Sequence, residues 1–175
     1  LREGHFRLSS GRHSDKYIQC AQVLQYPKFT EILCDDLARR FKGDEIDVVV
    51  APAIGGIIIA YEVARFLGCR ALFTEREDGV MTFRRGFHLE PDENVVIVED
   101  VVTTGGSVME VMDAVQKKGG FIKGVAVLVD RSGGRVNFGV RTEALYTTDL
   151  VTYDPEECPL CKQDIPLVKP GSRKV

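Results

Sequence analysis

The chain has 175 residues, 44% of them hydrophobic and 28% charged, with a formal net charge of −3. That is enough for one α/β domain with a sizeable core, while the acidic balance removes the electrostatic case for nucleic acid or a membrane surface as a partner. The longest apolar run, around Ile57 to Ala60, is far too short to span a bilayer, no signal-peptide pattern opens the chain, and the odd count of five cysteines argues against a disulfide framework and for a reducing cytoplasm.

The first residue is Leu1 rather than Met, so a short segment is expected to precede it. Phe6 to Ile18 starts with a strand-like alternation and continues into a polar turn, which by periodicity is a short hairpin at an edge, with Phe6 and Tyr17 in the core. Pro27 to Phe41 predicts an amphipathic helix: Pro27 suits the first helical position. Phe29, Ile32, Leu33, Leu37 and Phe41 are assigned to its apolar face, and Asp35, Asp36, Arg39 and Arg40 to the other. Ile46 to Ala51 predicts a buried strand that breaks into Ala53-Ile54-Gly55-Gly56 before an apolar helix running to Phe66. A glycine turn at a helix N-terminus is a plausible anion site; glycines placed only for close packing are the equal alternative. Arg70 to Thr74 predicts a third strand, and Glu75 to Gly86 a solvated loop or hairpin, the usual reading of a charge run.

Val95-Val96-Ile97-Val98-Glu99-Asp100-Val101-Val102-Thr103-Thr104-Gly105-Gly106-Ser107 carries the densest chemistry. Four β-branched residues predict a strand buried on both faces, and helical spacing of Val108, Val111, Met112 and Val115 follows. Between them, a turn of small residues leaves backbone N–H groups at a helix N-terminus, where an anion such as phosphate is favoured. Glu99 and Asp100 would repel that anion directly, so their natural partners are hydroxyls or a metal ion on the same ligand. A sugar phosphate satisfies both halves. The stretch lacks the Gly-Lys-Ser/Thr of a Walker loop and the Gly-x-Gly-x-x-Gly of a dinucleotide site.

Ile122 to Val129 predicts another buried strand, ending at Asp130-Arg131. An arginine there faces the crevice at the strand ends, and its planar fork suits a carboxylate; a surface salt bridge with Asp130 is the plainer alternative. Glu143 to Tyr153 predicts a last strand. Residues 154–175 form an irregular tail that contains Cys158-Pro159-Leu160-Cys161. One Cys-x-x-Cys is half a zinc site, no matching second half is evident in the chain, and structural thiols are the expected reading. Strand–helix alternation predicts one α/β domain over 1–175, with a mainly parallel twisted sheet flanked by helices and a small N-terminal hood over 1–26.

Val95 to Ser107 resembles the phosphoribosyl-diphosphate (PRPP) motif of the type I phosphoribosyltransferases: an apolar strand, two acids, then Thr-Thr-Gly-Gly-Ser. The resemblance implies that Glu99, Asp100, Val101, Val102, Thr103, Thr104, Gly105, Gly106 and Ser107 bind PRPP, with the acids on the ribose hydroxyls, and that Ala53, Ile54, Gly55 and Gly56 form a loop around its diphosphate and Mg²⁺. Relatives often carry a lysine where Gly55 stands. It further implies a mobile catalytic loop reaching a neighbouring subunit in a homodimer, with Arg76, Arg84 and Arg85 as its cations; His88 has no clear place in that pattern.

Phe6, Ser10, Gly11, Ser14 and Tyr17 match a pattern similar to the hood of orotate phosphoribosyltransferases, many of which carry a lysine where this chain has Ser9. With Asp130-Arg131 this implies orotate as the base, held by Phe6, Lys16, Tyr17, Thr103 and Arg131, with Glu99 and Asp100 also catalytic. Two other readings stay open: a phosphoribosyltransferase for another base, and a non-catalytic PRPP-binding regulator.

Overall fold

The computed structural model describes residues 1–8 and 10–170; Ser9, at the position of the relatives' lysine, lies outside the described residues. The chain divides into two compact units, one of Leu1–Gln19 with Asp149–Val175 and one of Cys20–Thr148.

The larger unit begins with a short helix α1 (Ala21–Leu24) and continues α2 (Pro27–Arg39), β3 (Val48–Pro52), α3 (Ile57–Leu67), β4 (Arg70–Glu77), β5 (Val80–Phe83), β6 (Asn94–Val102), α4 (Gly106–Lys117), β7 (Phe121–Asp130) and β8 (Thr142–Thr147); β1 (Arg2–Arg7) and β2 (His13–Tyr17) belong to the other unit. Its sheet has the order β5-β4-β3-β6-β7-β8. All neighbours are parallel except β4 and β5, which form an antiparallel hairpin at the edge. The central strands are paired on both sides, and Val48, Val49, Val50, Val95, Val96, Ile97 and Val98 are all buried. This is why they are near-continuous β-branched runs rather than alternating ones.

The crossover from β3 through α3 leads to β4 on one side, and that from β6 through α4 leads to β7 on the other. Right-handed connections leaving in opposite directions put their helices on opposite faces of the sheet. Val108, Val111, Met112 and Val115 of α4 accordingly join Val48, Val50, Val95, Ile97, Val125 and Val127 in one core cluster.

Two expectations change, and a third resolves in favour of its hairpin alternative. In α2 the buried side chains are Thr30, Cys34, Leu37 and Ala38, while Phe29 and Ile32 are exposed. At about 100° per residue the buried stripe centres between Cys34 and Leu37, which leaves Ile32 almost opposite. The charge-rich stretch after Thr74 continues β4 to Glu77, turns at Asp78-Gly79 and returns as β5. Both turn residues have positive φ, 51° and 83°, which suits a tight hairpin. The last strand stops at Thr147. Thr148 N–H donates to Asp130 O at 2.8 Å, and Asp149 onward belongs to the smaller unit.

In the smaller unit β1 and β2 pair antiparallel, with Phe6 opposite Ser14 and Arg7 opposite His13. Residues of the tail extend this pairing: Tyr153 exchanges backbone hydrogen bonds with His13, and Val168 bonds to both His5 and Arg7. The tail expected to be irregular therefore completes the same unit as the N-terminal segment. Among the described residues no helix is long and apolar enough to cross a membrane.

Gly124 in β7 is a sensitive point of the large core. A Cβ there would lie 2.6 Å from Phe41 Cε1 and 2.8 Å from Arg141 O, and backbone cannot yield as a flexible side chain can. Gly124→Ala is expected to cost about 1–3 kcal/mol by overpacking, read as a lowered urea midpoint with unchanged slope.

Candidate active site

Because β3 and β6 are adjacent while their crossovers diverge, their C-terminal ends flank a crevice, the place where open α/β sheets bind ligands. Two turns meet there. After β3 the chain turns through residues 53–56; Ala53 N–H is held by Thr74 O at 2.8 Å, Gly56 N–H by Pro52 O at 3.3 Å, and the Ala53–Ile54 peptide is cis. Ile54, an apolar side chain, is 85% exposed on this turn. After β6 the chain runs through Thr103 and Thr104, both exposed, into α4.

Gly105 is the N-cap of α4 with φ 79°, a conformation that disfavours a side chain. Space enforces the same choice: its Cβ would meet Val136 Cγ1 at 2.7 Å and Phe138 Cε1 at 2.8 Å. The first N–H groups of α4 have no intrahelical acceptor, and the helix dipole adds to their attraction for an anion.

The acids sit one turn upstream. Glu99 is buried, and one of its oxygens accepts from Asp100 N–H at 3.1 Å. Asp100 Oδ1 accepts from Val101 N–H at 2.8 Å. Its Oδ2 approaches the other turn so closely that a Cβ on Gly55 would lie 2.9 Å away. Gly56 is equally confined, 2.7 Å from Ala51 Cβ. A side chain at Gly55 would thus press on the Asp100 carboxylate.

Cys20, which sequence reasoning left unassigned, donates its thiol to Asp100 O at 3.7 Å. Burial, reinforced by the Asp100 carboxylate, pushes that thiol up to about 12. Burial likewise pushes Cys34 up to about 12 and Cys69 up to about 11.

Arg131 follows β7 and its N–H donates to Val102 O at 2.8 Å, fixing the end of β7 to the end of β6. Asp130 accepts from Ser132 N–H at 2.7 Å and Gly134 N–H at 2.9 Å, so its carboxylate shapes the turn that follows. The three hairpin arginines all face carboxylates. Arg76 makes a two-pronged pair with Glu110 of α4 at 2.6 and 2.8 Å, and Arg85 pairs with Glu75 at 2.7 and 2.9 Å. Arg84 lies 3.2 Å from Glu77. The Arg85 guanidinium holds the Glu75 carboxyl below its usual range. Glu110 had no local signal, since its partner lies three elements away in the chain. His88 lies 3.4 Å from Glu90.

Phe6, Lys16 and Tyr17 belong to the smaller unit. Phe6 is buried and packs on Tyr17 with ring centroids 5.7 Å apart, while Lys16 and Tyr17 are half-buried.

A family model, "Phosphoribosyl transferase domain", matches residues 21–138, so fold and site together define a phosphoribosyltransferase. The fold is shared with an adenine phosphoribosyltransferase from Thermoanaerobacter pseudethanolicus, at TM-score 0.64 and 20% identity over 75% of this chain and 87% of that one. It is also shared with an orotate phosphoribosyltransferase from Aeropyrum pernix, at TM-score 0.67 and 29% identity over 83% of this chain and 86% of that one. An orotate phosphoribosyltransferase from Pelotomaculum thermopropionicum is 66% identical over 98% of this chain and 90% of its own length. The chain belongs to the orotate phosphoribosyltransferase family.

Thiol chemistry tests the environment of the site. Burial pushes the Cys20 thiol up to about 12, so it stays protonated at pH 8, and the thiolate is the reactive form. Cys20, Cys34 and Cys69 are expected to resist iodoacetamide in the folded chain and to react in urea, as read by mass spectrometry; rapid labelling of native Cys20 would contradict the packing described.

Proposed function

We propose that this chain transfers the ribose 5-phosphate of PRPP to orotate, giving orotidine 5′-monophosphate and pyrophosphate in pyrimidine synthesis. The contact of the β6 acid pair with the turn after β3 at the switch point, with Asp100 against Gly55, is the observation that carries it. An anion cradle, a pair of acids and a second glycine turn stand side by side, in the order that a phosphate, a diol and a diphosphate occupy along one sugar.

In this reading Thr103 to Ser107 hold the 5-phosphate through backbone N–H groups and hydroxyls. Glu99 and Asp100 take the ribose hydroxyls, and their negative charge stabilises the positive charge that develops on the ring as the glycosidic bond breaks. Residues 53–56 receive the diphosphate. Hard carboxylate oxygens and hydrated diphosphate suit Mg²⁺; when bound, Mg²⁺ would neutralise the leaving group. Arg76, Arg84 and Arg85 supply further positive charge to the pyrophosphate. Arg131 receives the orotate carboxylate through its planar fork, close to Thr103.

Exposed apolar side chains on adjacent helices, Phe29 and Ile32 on α2 with Ile58 and Tyr61 on α3, support a homodimer. Light scattering is then expected to give twice the chain mass. Five free cysteines support a reducing, cytoplasmic setting.

Orotate consumption with PRPP and Mg²⁺ is the direct assay, and turnover of a purine base in place of orotate would overturn the base assignment. Asp100→Asn is expected to lower kcat by about a hundredfold with little change in thermal midpoint. Arg131→Ala is expected to lower kcat/KM for orotate by on the order of tenfold to a hundredfold, the worth of a charged hydrogen bond, while KM for PRPP stays within about twofold.

A further inference from the structure

The smaller unit contains a cluster that the transferase reaction does not use. Its buried side chains, among the described residues, are Phe6, Leu8 and Cys158 on the apolar side and His5, His13 and Ser14 on the polar side. Two histidines and a cysteine are an unusual interior for so small a unit, because buried polar groups are costly unless something satisfies them.

His5, His13, Cys158 and Cys161 converge on one point, with their donor atoms all within 4.8 Å of one another. His5 Nε2 lies 3.0 Å from His13 Nδ1, 3.5 Å from Cys158 Sγ and 3.7 Å from Cys161 Sγ. Cys161 Sγ lies 3.3 Å from His13 Nδ1. Zinc bonds of about 2.0–2.1 Å to nitrogen and 2.3 Å to sulfur in a tetrahedron require donor separations of about 3.3–3.8 Å. The four distances sit on or near those edges.

A second observation orients the set. His5 Nδ1 lies 2.7 Å from Ile165 O. A carbonyl only accepts, so Nδ1 carries the proton and Nε2 turns its lone pair into the cluster. This is the outer hydrogen bond that metal-bound histidines commonly make. The topology explains the convergence. His13 is opposite Arg7, two residues from His5, Tyr153 bonds to His13, and Cys158-Pro159-Leu160-Cys161 leads into a tight turn in which Lys162 N–H bonds to Cys158 O. The missing half of the Cys-x-x-Cys site therefore comes from β1 and β2, some 150 residues away in the chain.

We propose that His5 Nε2, His13 Nδ1, Cys158 Sγ and Cys161 Sγ form a structural zinc site that joins the N-terminal strands to the C-terminal segment. Two sulfurs and two imidazole nitrogens in a closed tetrahedron select zinc over magnesium or calcium, which take oxygen. Binding releases the two thiol protons and leaves two thiolates against a divalent ion, a neutral site that the interior can hold. All four positions are filled by protein, so the site has no opening for a substrate and acts in folding.

The test uses the full chain, expressed with zinc and purified under reducing conditions without chelator. Elemental analysis is expected to find one zinc per chain. Replacement by Co²⁺ is expected to give the intense visible bands of tetrahedral cobalt with sulfur-to-cobalt charge transfer in the near ultraviolet. Cys161→Ser alters the solvent-exposed ligand; it is expected to weaken zinc at least tenfold in a chelator competition and to lower the thermal midpoint, while Cys69→Ser keeps the metal. Absence of zinc together with absence of the cobalt spectrum in the wild-type chain would overturn the proposal. So would a Cys158–Cys161 disulfide in the purified protein, or zinc retained at full affinity by Cys161→Ser.

Discussion

The large unit depends on one topological constraint: β3 and β6 are hydrogen-bonded neighbours whose following helices must leave to opposite faces. Right-handed crossovers make that divergence unavoidable, and it leaves a gap at the strand ends with a turn on each side. The turn after β3 comes close enough to β6 that a side chain at Gly55 would displace the Asp100 carboxylate, while Gly105 has no room for one beside Val136 and Phe138. The buried valine strands behind them hold this geometry. A site mounted on rigid strand ends keeps its donors in place without help from a ligand.

Charge around the site is arranged in pairs that cost little to exchange. Arg76, Arg84 and Arg85 each face a glutamate in the described chain, and exposed pairs of this kind are worth only about 0–1 kcal/mol. The paired state therefore keeps the cations near the edge of the sheet without locking them there, and Glu110 on α4 ties Arg76 to the helix whose N-terminus forms the cradle.

The smaller unit obeys different physics. It has few buried apolar side chains, and area alone stabilises a unit of this size poorly. Its two segments come from opposite ends of the chain, so bringing them together carries a loop-closure cost. A cross-link that exists only when both ends meet offsets that cost. The His5, His13, Cys158 and Cys161 cluster is placed to make one.

Patterns of neighbouring residues were legible without coordinates: the β-branched strands, the buried face of α4, the acid pair followed by a small-residue turn, and the family to which these belong. These signals are local, because burial on both faces, helical periodicity and glycine turns are written within a dozen residues. Where several apolar residues crowd one helix, local pattern misled: Phe29 and Ile32 of α2 are exposed because the sheet selects the stripe through Thr30, Cys34 and Leu37. The contact of Gly55 with Asp100, the Arg76–Glu110 pair and the second half of the Cys-x-x-Cys site could not be read from the chain. Each joins residues separated by tens of positions or more, and strand order alone decides which distant residues become neighbours. The sequence by itself determined the class of chemistry and the small-residue turn that opens α4; only the tertiary structure decided which side chains stand around that turn, and that two histidines meet two cysteines elsewhere, because spatial proximity across a crossover leaves no periodic trace in the chain.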